Sequence, residues 1–81
     1  MRSKVFILIY DPQVDRLAMF SDDETIHLHC GDCIEVRRVD ITEDTKEIWI
    51  PTRVEIDVSG DWYLTGLYKA GGIPYGLAVR K

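Results

Sequence analysis

Lys46–Val58, KEIWIPTRVEIDV, is the stretch that decides the fold. Ile48, Ile50, Thr52, Val54, Ile56 and Val58 share one side of it, and Trp49, Pro51, Arg53, Glu55 and Asp57 share the other. Successive side chains of a strand point to opposite faces, so this pattern predicts a long strand with a dry side and a wet side. Ile48, Ile50, Val54 and Ile56 are expected in the core. Pro51 has no backbone N–H to give to a ladder, so the strand is expected to be unpaired or bulged between Trp49 and Arg53.

Working outward, the flanking segments also read as short strands. Trp62–Tyr68, WYLTGLY, follows the tight turn Ser59-Gly60-Asp61 and is expected to pair back onto the long strand. Cys33–Val39 precedes it across the charged loop Asp40–Glu47. Lys4–Tyr10, KVFILIY, is rich in β-branched and aromatic residues. The turn Asp11-Pro12-Gln13 brings Val14–Phe20 back against it as a hairpin. Thr25–Cys30 alternates, Gly31-Asp32 interrupts, and Gly76–Arg80 closes the chain with Leu77 and Val79 inward. The loop Lys69–Tyr75 has room for a 3₁₀ turn at most. Nothing repeats at the 3.6-residue period of a helix. The fold class is therefore all-β: a small SH3-like barrel of five to seven short antiparallel strands, residues 1–81 forming one domain.

Composition narrows the function classes. A chain of 81 residues, 46% hydrophobic and 30% charged, is an ordinary globular domain and not a disordered segment. Its formal net charge of -4 gives no general attraction to phosphate backbones or anionic lipid. The apolar run Val5–Tyr10 is far shorter than the ~20 residues of a membrane-spanning helix. Asp11-Pro12 ends that run without a small-residue cleavage site, so a cytoplasmic protein is expected. Two cysteines do not make a disulfide framework. Val5–Tyr10 is apolar on both faces; one must be covered by a loop, a terminus or a second copy, which makes this strand a candidate for homodimer formation.

Four blocks in order, LHCGDCIEV (28–36), WIPTRVE (49–55), DWYLTGL (61–67) and YGLAVR (75–80), resemble domain-of-unknown-function family 5348, a small family of Firmicutes, their phages and mobile elements. The resemblance covers residues 4–80. It implies a bacterial or phage origin and a compact β domain, and it carries no catalytic residues. The charged insertion Arg38–Lys46 is longer than the family pattern, and Cys33 departs from it. A likeness to SH3-like barrels in general is one of layout, and layout does not fix function.

His27-x-His29-Cys30-x-x-Cys33 contains the ligand types of a tetrahedral zinc site. On a strand, however, His27 and His29 share one face and Cys30 takes the other. The plainer reading puts Cys30 in the core and both histidines on the surface. A redox Cys-x-x-Cys pair sits at a helix N-terminus, and no helix follows Cys33. The carboxylates Asp22, Asp23, Glu24, Glu43 and Asp44 fall in solvated loops, and Ser3, Ser21 and Ser59 sit at a terminus or in turns. No acid, base and nucleophile converge, so neither an enzyme nor a cofactor is expected.

The more specific signal is a set of aromatics with arginines among them: Trp49, Pro51 and Arg53 on the wet side of the long strand, Arg37 and Tyr63 from its neighbours, and Tyr68 and Tyr75 flanking the Gly-rich loop. Such residues anchor recognition surfaces. The expectation is an interaction module for a protein or peptide. Nucleic-acid binding, with bases stacked on the aromatics, is the first alternative, and zinc binding through His27, His29, Cys30 and Cys33 is the second. The competing structural role for Trp49 and Tyr63 is to cover the end of the barrel.

Overall fold

The computed structural model describes residues 4–40 and 46–81. Ser3, Glu43 and Asp44 lie outside the described residues. Seven strands follow in order: β1 (Phe6–Asp11), β2 (Arg16–Ser21), β3 (Glu24–His27), β4 (Cys33–Asp40), β5 (Lys46–Ile56), β6 (Trp62–Leu64) and β7 (Ala78–Arg80). All pairings are antiparallel, and the strands form one sheet in the order β3-β2-β1-β7-β4-β5-β6. No helix occurs among the described residues.

The sheet has two halves, each built from hairpins between neighbours in sequence. β1–β2–β3 is one half and β4–β5–β6 the other. β7 lies between them, with Val79 paired to Phe6 of β1 and to Val36 of β4. The sheet curls around a single core. Phe6, Leu8, Leu17 and Met19 come from one half, Ile34, Val36, Val54 and Leu64 from the other, and Val79 and the loop residue Ile73 fill between. This is the barrel-like all-β globule that the strand pattern predicts, although β3 and β6 remain as the two ends of the strand order.

Local chemistry sets the turns. Gln13 donates its amide to the Asp11 carboxylate, closing the β1–β2 turn as an Asx turn. The Asp57 carboxylate accepts from the amides of Ser59 and Asp61 at 2.9 Å each and shapes the turn between β5 and β6. Leu28 leaves β3 but still donates to the Leu17 carbonyl, and it is fully buried.

Several expectations need correction. The Pro51 ladder is unbroken: Pro51 pairs with Glu35, and the register runs from Cys33↔Arg53 to Asp40↔Lys46 without a slip. Val54 exchanges its backbone bonds with Gly31 and Asp32, so even-numbered residues of β5 point their N–H and C=O toward β4. Pro51, of opposite parity, turns its missing N–H away from β4, past the end of three-residue β6, where no strand asks for it. The irregularity lies instead at Val54. Gly31 donates to its carbonyl at 2.7 Å and Asp32 accepts from its amide at 2.8 Å, so two residues oppose one. Gly31 has φ +97°, and this is a β-bulge that relies on glycine.

The ends of the long strand are also drier in sequence than in space. Val54 is fully buried, but Ile48 and Ile56 are exposed at 39% and 37%, and Val58 is fully exposed. β5 is longer than any neighbour, so its ends extend beyond the opposing layer. β6 stops at Leu64: Gly66, at φ +74°, reverses the chain, and Leu64 and Tyr68 exchange backbone bonds. Finally, β3 ends at His27, and Cys30 is exposed and not in the core. On β1, Phe6 and Leu8 are buried while Ile7 is exposed, opposite a similarly exposed Phe20, and Val5, just before the strand, is exposed too.

Candidate binding face

The wet side of β5 is a real surface. Cross-strand partners put Arg37 beside Trp49, Glu35 beside Pro51, Cys33 beside Arg53, and Tyr63 beside Glu55. Directly opposed residues point to the same face, so Trp49, Pro51, Arg53, Arg37 and Tyr63 share it as the alternation requires. β7 adds Arg80, paired with Glu35, on the same side.

The side chains are tied to one another. The Arg80 guanidinium stacks over the Trp49 ring at 4.0 Å from its centroid, while its Nε donates to Glu35 Oε1 at 2.6 Å. The Trp49 indole N–H donates to Glu47 Oε1 at 3.1 Å. Arg53 is bonded to Glu55 at 2.6 Å. Trp49 is half-buried, with Pro51, Arg37 and Arg53 exposed around it. The face is thus a flat aromatic and guanidinium platform whose Arg53 and Arg80 charges are compensated by neighbouring carboxylates.

Tyr68 and Tyr75 are elsewhere. Tyr68 is half-buried and packs against the core. Tyr75 is exposed and faces Tyr10, with ring centroids 6.4 Å apart and planes tilted by 48°. Tyr10, Tyr75, Trp62, Asp15, Asp61, Gly60 and Gly71 line a cleft of about 260 Å³. Three turns meet there: the β1–β2 turn, the β5–β6 turn and the Lys69–Tyr75 loop. The Tyr10 hydroxyl donates to the Asp15 carboxylate, which holds its pKa above the ordinary tyrosine value, with burial adding to the effect. Burial alone raises the Tyr75 pKa. The Trp62 indole N–H is buried with no acceptor among the described protein atoms.

The histidine and cysteine set does not converge. His27 Nε2 is 2.9 Å from Asp11 Oδ2. His29 Nδ1 is 3.8 Å from Asp32 Oδ2. Cys30 Sγ donates to Glu55 Oε1 at 3.0 Å, which raises the thiol pKa. Cys33 sits opposite Arg53. No group of three or more His, Cys, Asp or Glu side chains among the described residues is arranged to hold a metal ion. The bulge at Gly31-Asp32 places Cys30 and Cys33 next to Glu55 and Arg53, at the edge of the platform.

Residues 7–81 match the family model described as Domain of unknown function (DUF5348). The chain belongs to this family. The family description assigns no activity. A crystal structure of a protein from Ruminococcus gnavus, from the Northeast Structural Genomics Consortium, is similar at 31% identity and a TM-score of 0.71, covering 96% of this chain and all of that one. No curated protein matches the chain. No helix among the described residues is long and apolar enough to cross a membrane.

Within this DUF5348 domain, the sequence places Glu55 on the wet side but does not show its bond to Arg53, and it gives no sign of Glu35 and Arg80 on the platform or, Tyr75 apart, of the Tyr10–Tyr75 cleft. Alternation outward from buried Val79 places Arg80 on the surface, but nothing local shows that its cross-strand neighbour is Glu35. The cleft residues come from three separate parts of the chain, and only the curl of the sheet assembles them.

Proposed function

We propose that the domain is a non-enzymatic interaction module that binds an extended peptide segment of a partner protein on the β4–β5–β6 face. The observation that carries this reading is the charge-compensated platform: Trp49 under the Arg80 guanidinium, flanked by Pro51, Arg37 and Arg53. Preorganised aromatic and guanidinium groups offer large contact area at low ordering cost, as recognition anchors do. Pro51 and the short β6 leave the backbone of β5 beside Trp49 without a neighbouring strand, so a peptide has room to lie along it. The same compensation argues against the nucleic-acid alternative. Glu35 and Glu55 take up two of the arginines that would otherwise meet phosphates, and the whole chain is acidic.

An SH3-like layout, a bacterial or phage origin and a cytoplasmic setting accompany this reading as part of the same proposal. The test is a comparison of variants on immobilised protein. Trp49→Ala and Arg53→Glu are expected to lose the captured partner, while Tyr75→Ala, in the separate cleft with Tyr10, keeps it. A partner that all three variants retain equally excludes this face.

A further inference from the structure

We infer that the cleft between Tyr10, Tyr75 and Trp62 is a binding site for an organic cation, an ammonium or guanidinium group. Three aromatic rings and two carboxylates meet in one cleft of about 260 Å³. Aromatic faces are negative at their centres and attract cations lying within about 6 Å of the centroid. Tyr10 and Tyr75 are 6.4 Å apart and tilted by 48°, so one cation over the gap lies within that reach of both. Both rings are presented to solvent, Tyr10 at 38% and Tyr75 at 51% exposure.

The charge at the site has the matching sign. Asp15 and Asp61 line the cleft, and no lysine or arginine is among its described lining residues. Arg16, with His29, borders the neighbouring depression on the far side of Asp15 and Trp62. The backbone supports the arrangement. Asp15 holds φ +52°, a left-handed conformation uncommon for a residue with a side chain, and this directs its carboxylate to the Tyr10 hydroxyl. Donation of that hydroxyl to a carboxylate fixes the ring that forms one wall. The Asp57 carboxylate fixes the opposite wall through the amides of Ser59 and Asp61. The site is therefore preformed, which lowers the cost of binding. It is separate from the Trp49 platform, and the two readings stand or fall independently.

Two sources supply this chemistry: a free quaternary ammonium compound, or a lysine or arginine side chain on a peptide. The experiment is an amide and indole NMR titration of the intact domain. The probes are tetramethylammonium chloride, with sodium chloride as the ionic-strength control, and neopentyl alcohol as a neutral probe of similar shape. Saturable shifts at the Trp62 indole and at residues 10, 15, 60–62, 71 and 75 are expected with the cation only. Tyr75→Ala is expected to weaken binding by about threefold to tenfold, the scale of one lost ring, while Tyr10→Phe keeps most of it. Tyr75 is exposed, so its variant folds even if Tyr10→Ala does not. Capped lysine and arginine amides then separate the sources, stronger binding than tetramethylammonium pointing to a peptide side chain and weaker binding to a free quaternary ammonium. Equal shifts with neopentyl alcohol, no saturable shift with any cation, or unchanged binding by Tyr75→Ala would overturn the assignment.

Discussion

Replacing Trp49 with alanine separates a binding anchor from a structural cap. A fully buried tryptophan costs about 3–5 kcal/mol when cut to alanine. Trp49 is only half-buried, and the Arg80 guanidinium stacks over its ring. Losing a partly exposed cation–π stack costs about 0.5–1 kcal/mol. Returning part of the ring to water adds about 1 kcal/mol, and the exposed bond to Glu47 adds little. The expected total is about 1.5–2 kcal/mol. For a domain of this size, with a urea m-value near 1 kcal/mol/M, the midpoint falls by about 1.5–2 M. Leu64→Ala, at a fully buried position, is the internal scale and costs about 2–5 kcal/mol. A double-mutant cycle with Arg80→Ala is expected to give a coupling of about 0.5–1 kcal/mol. A Trp49→Ala loss above about 3 kcal/mol, as large as that of Leu64→Ala, would show that the ring is core, and the platform argument would fail.

Pro51→Thr should leave stability within about 0.5 kcal/mol, because the restored N–H points to an open edge; denaturation checks this, and light scattering should show more self-association as an edge donor is exposed. Asp11 is held below the ordinary carboxylate range by the His27 bond first and the Gln13 amide second. Its stabilising contribution is therefore complete above the unfolded value of about 3.9 and is lost as pH falls through the lowered folded value. Asp11→Asn should accordingly flatten the acid limb of a stability–pH profile below about pH 4, and an unchanged limb would remove the role given to His27. Cys30 alkylation, followed by mass spectrometry at mildly alkaline pH, should accelerate in Glu55→Gln, since the hydrogen bond to Glu55 is the main cause of its raised pKa.

The strand pattern was legible because alternation is a local property. Val54 and Leu64 are buried and Arg53 and Pro51 exposed as their parity requires. What alternation cannot report is how far the opposing layer reaches or where the strand stops: Ile48 and Ile56 lie near the ends of β5 and stay exposed, and Val58 lies beyond β5 in the turn to β6. Pro51 was read correctly as a residue without a donor, but its effect depends on which edge the donor would have faced, and that is set by β6 ending at Leu64. The expectation for Cys30 fails because β3 ends at His27, so the alternation that would point Cys30 inward does not reach it, and Cys30 instead bonds Glu55. The platform was visible in part, since Trp49, Pro51 and Arg53 lie on one strand. The Tyr10–Tyr75 cleft was not, since its residues share no local spacing.

β7 gives the domain a kinetic bottleneck. Each half of the sheet can form from hairpins whose partners are close in sequence, but neither half touches the other through the ladder until Val79 lies between Phe6 and Val36. Joining Phe6 to Val79 closes almost the whole 81-residue sequence into a loop, a slow and entropically costly step. Before that step, β1 and β4 are two unpaired edges, each able to recruit the wrong strand from another molecule. Residues 76–80, which bond Leu8 as well as pairing with Phe6 and Ile7, thus decide how long a newly made chain remains open to misassembly.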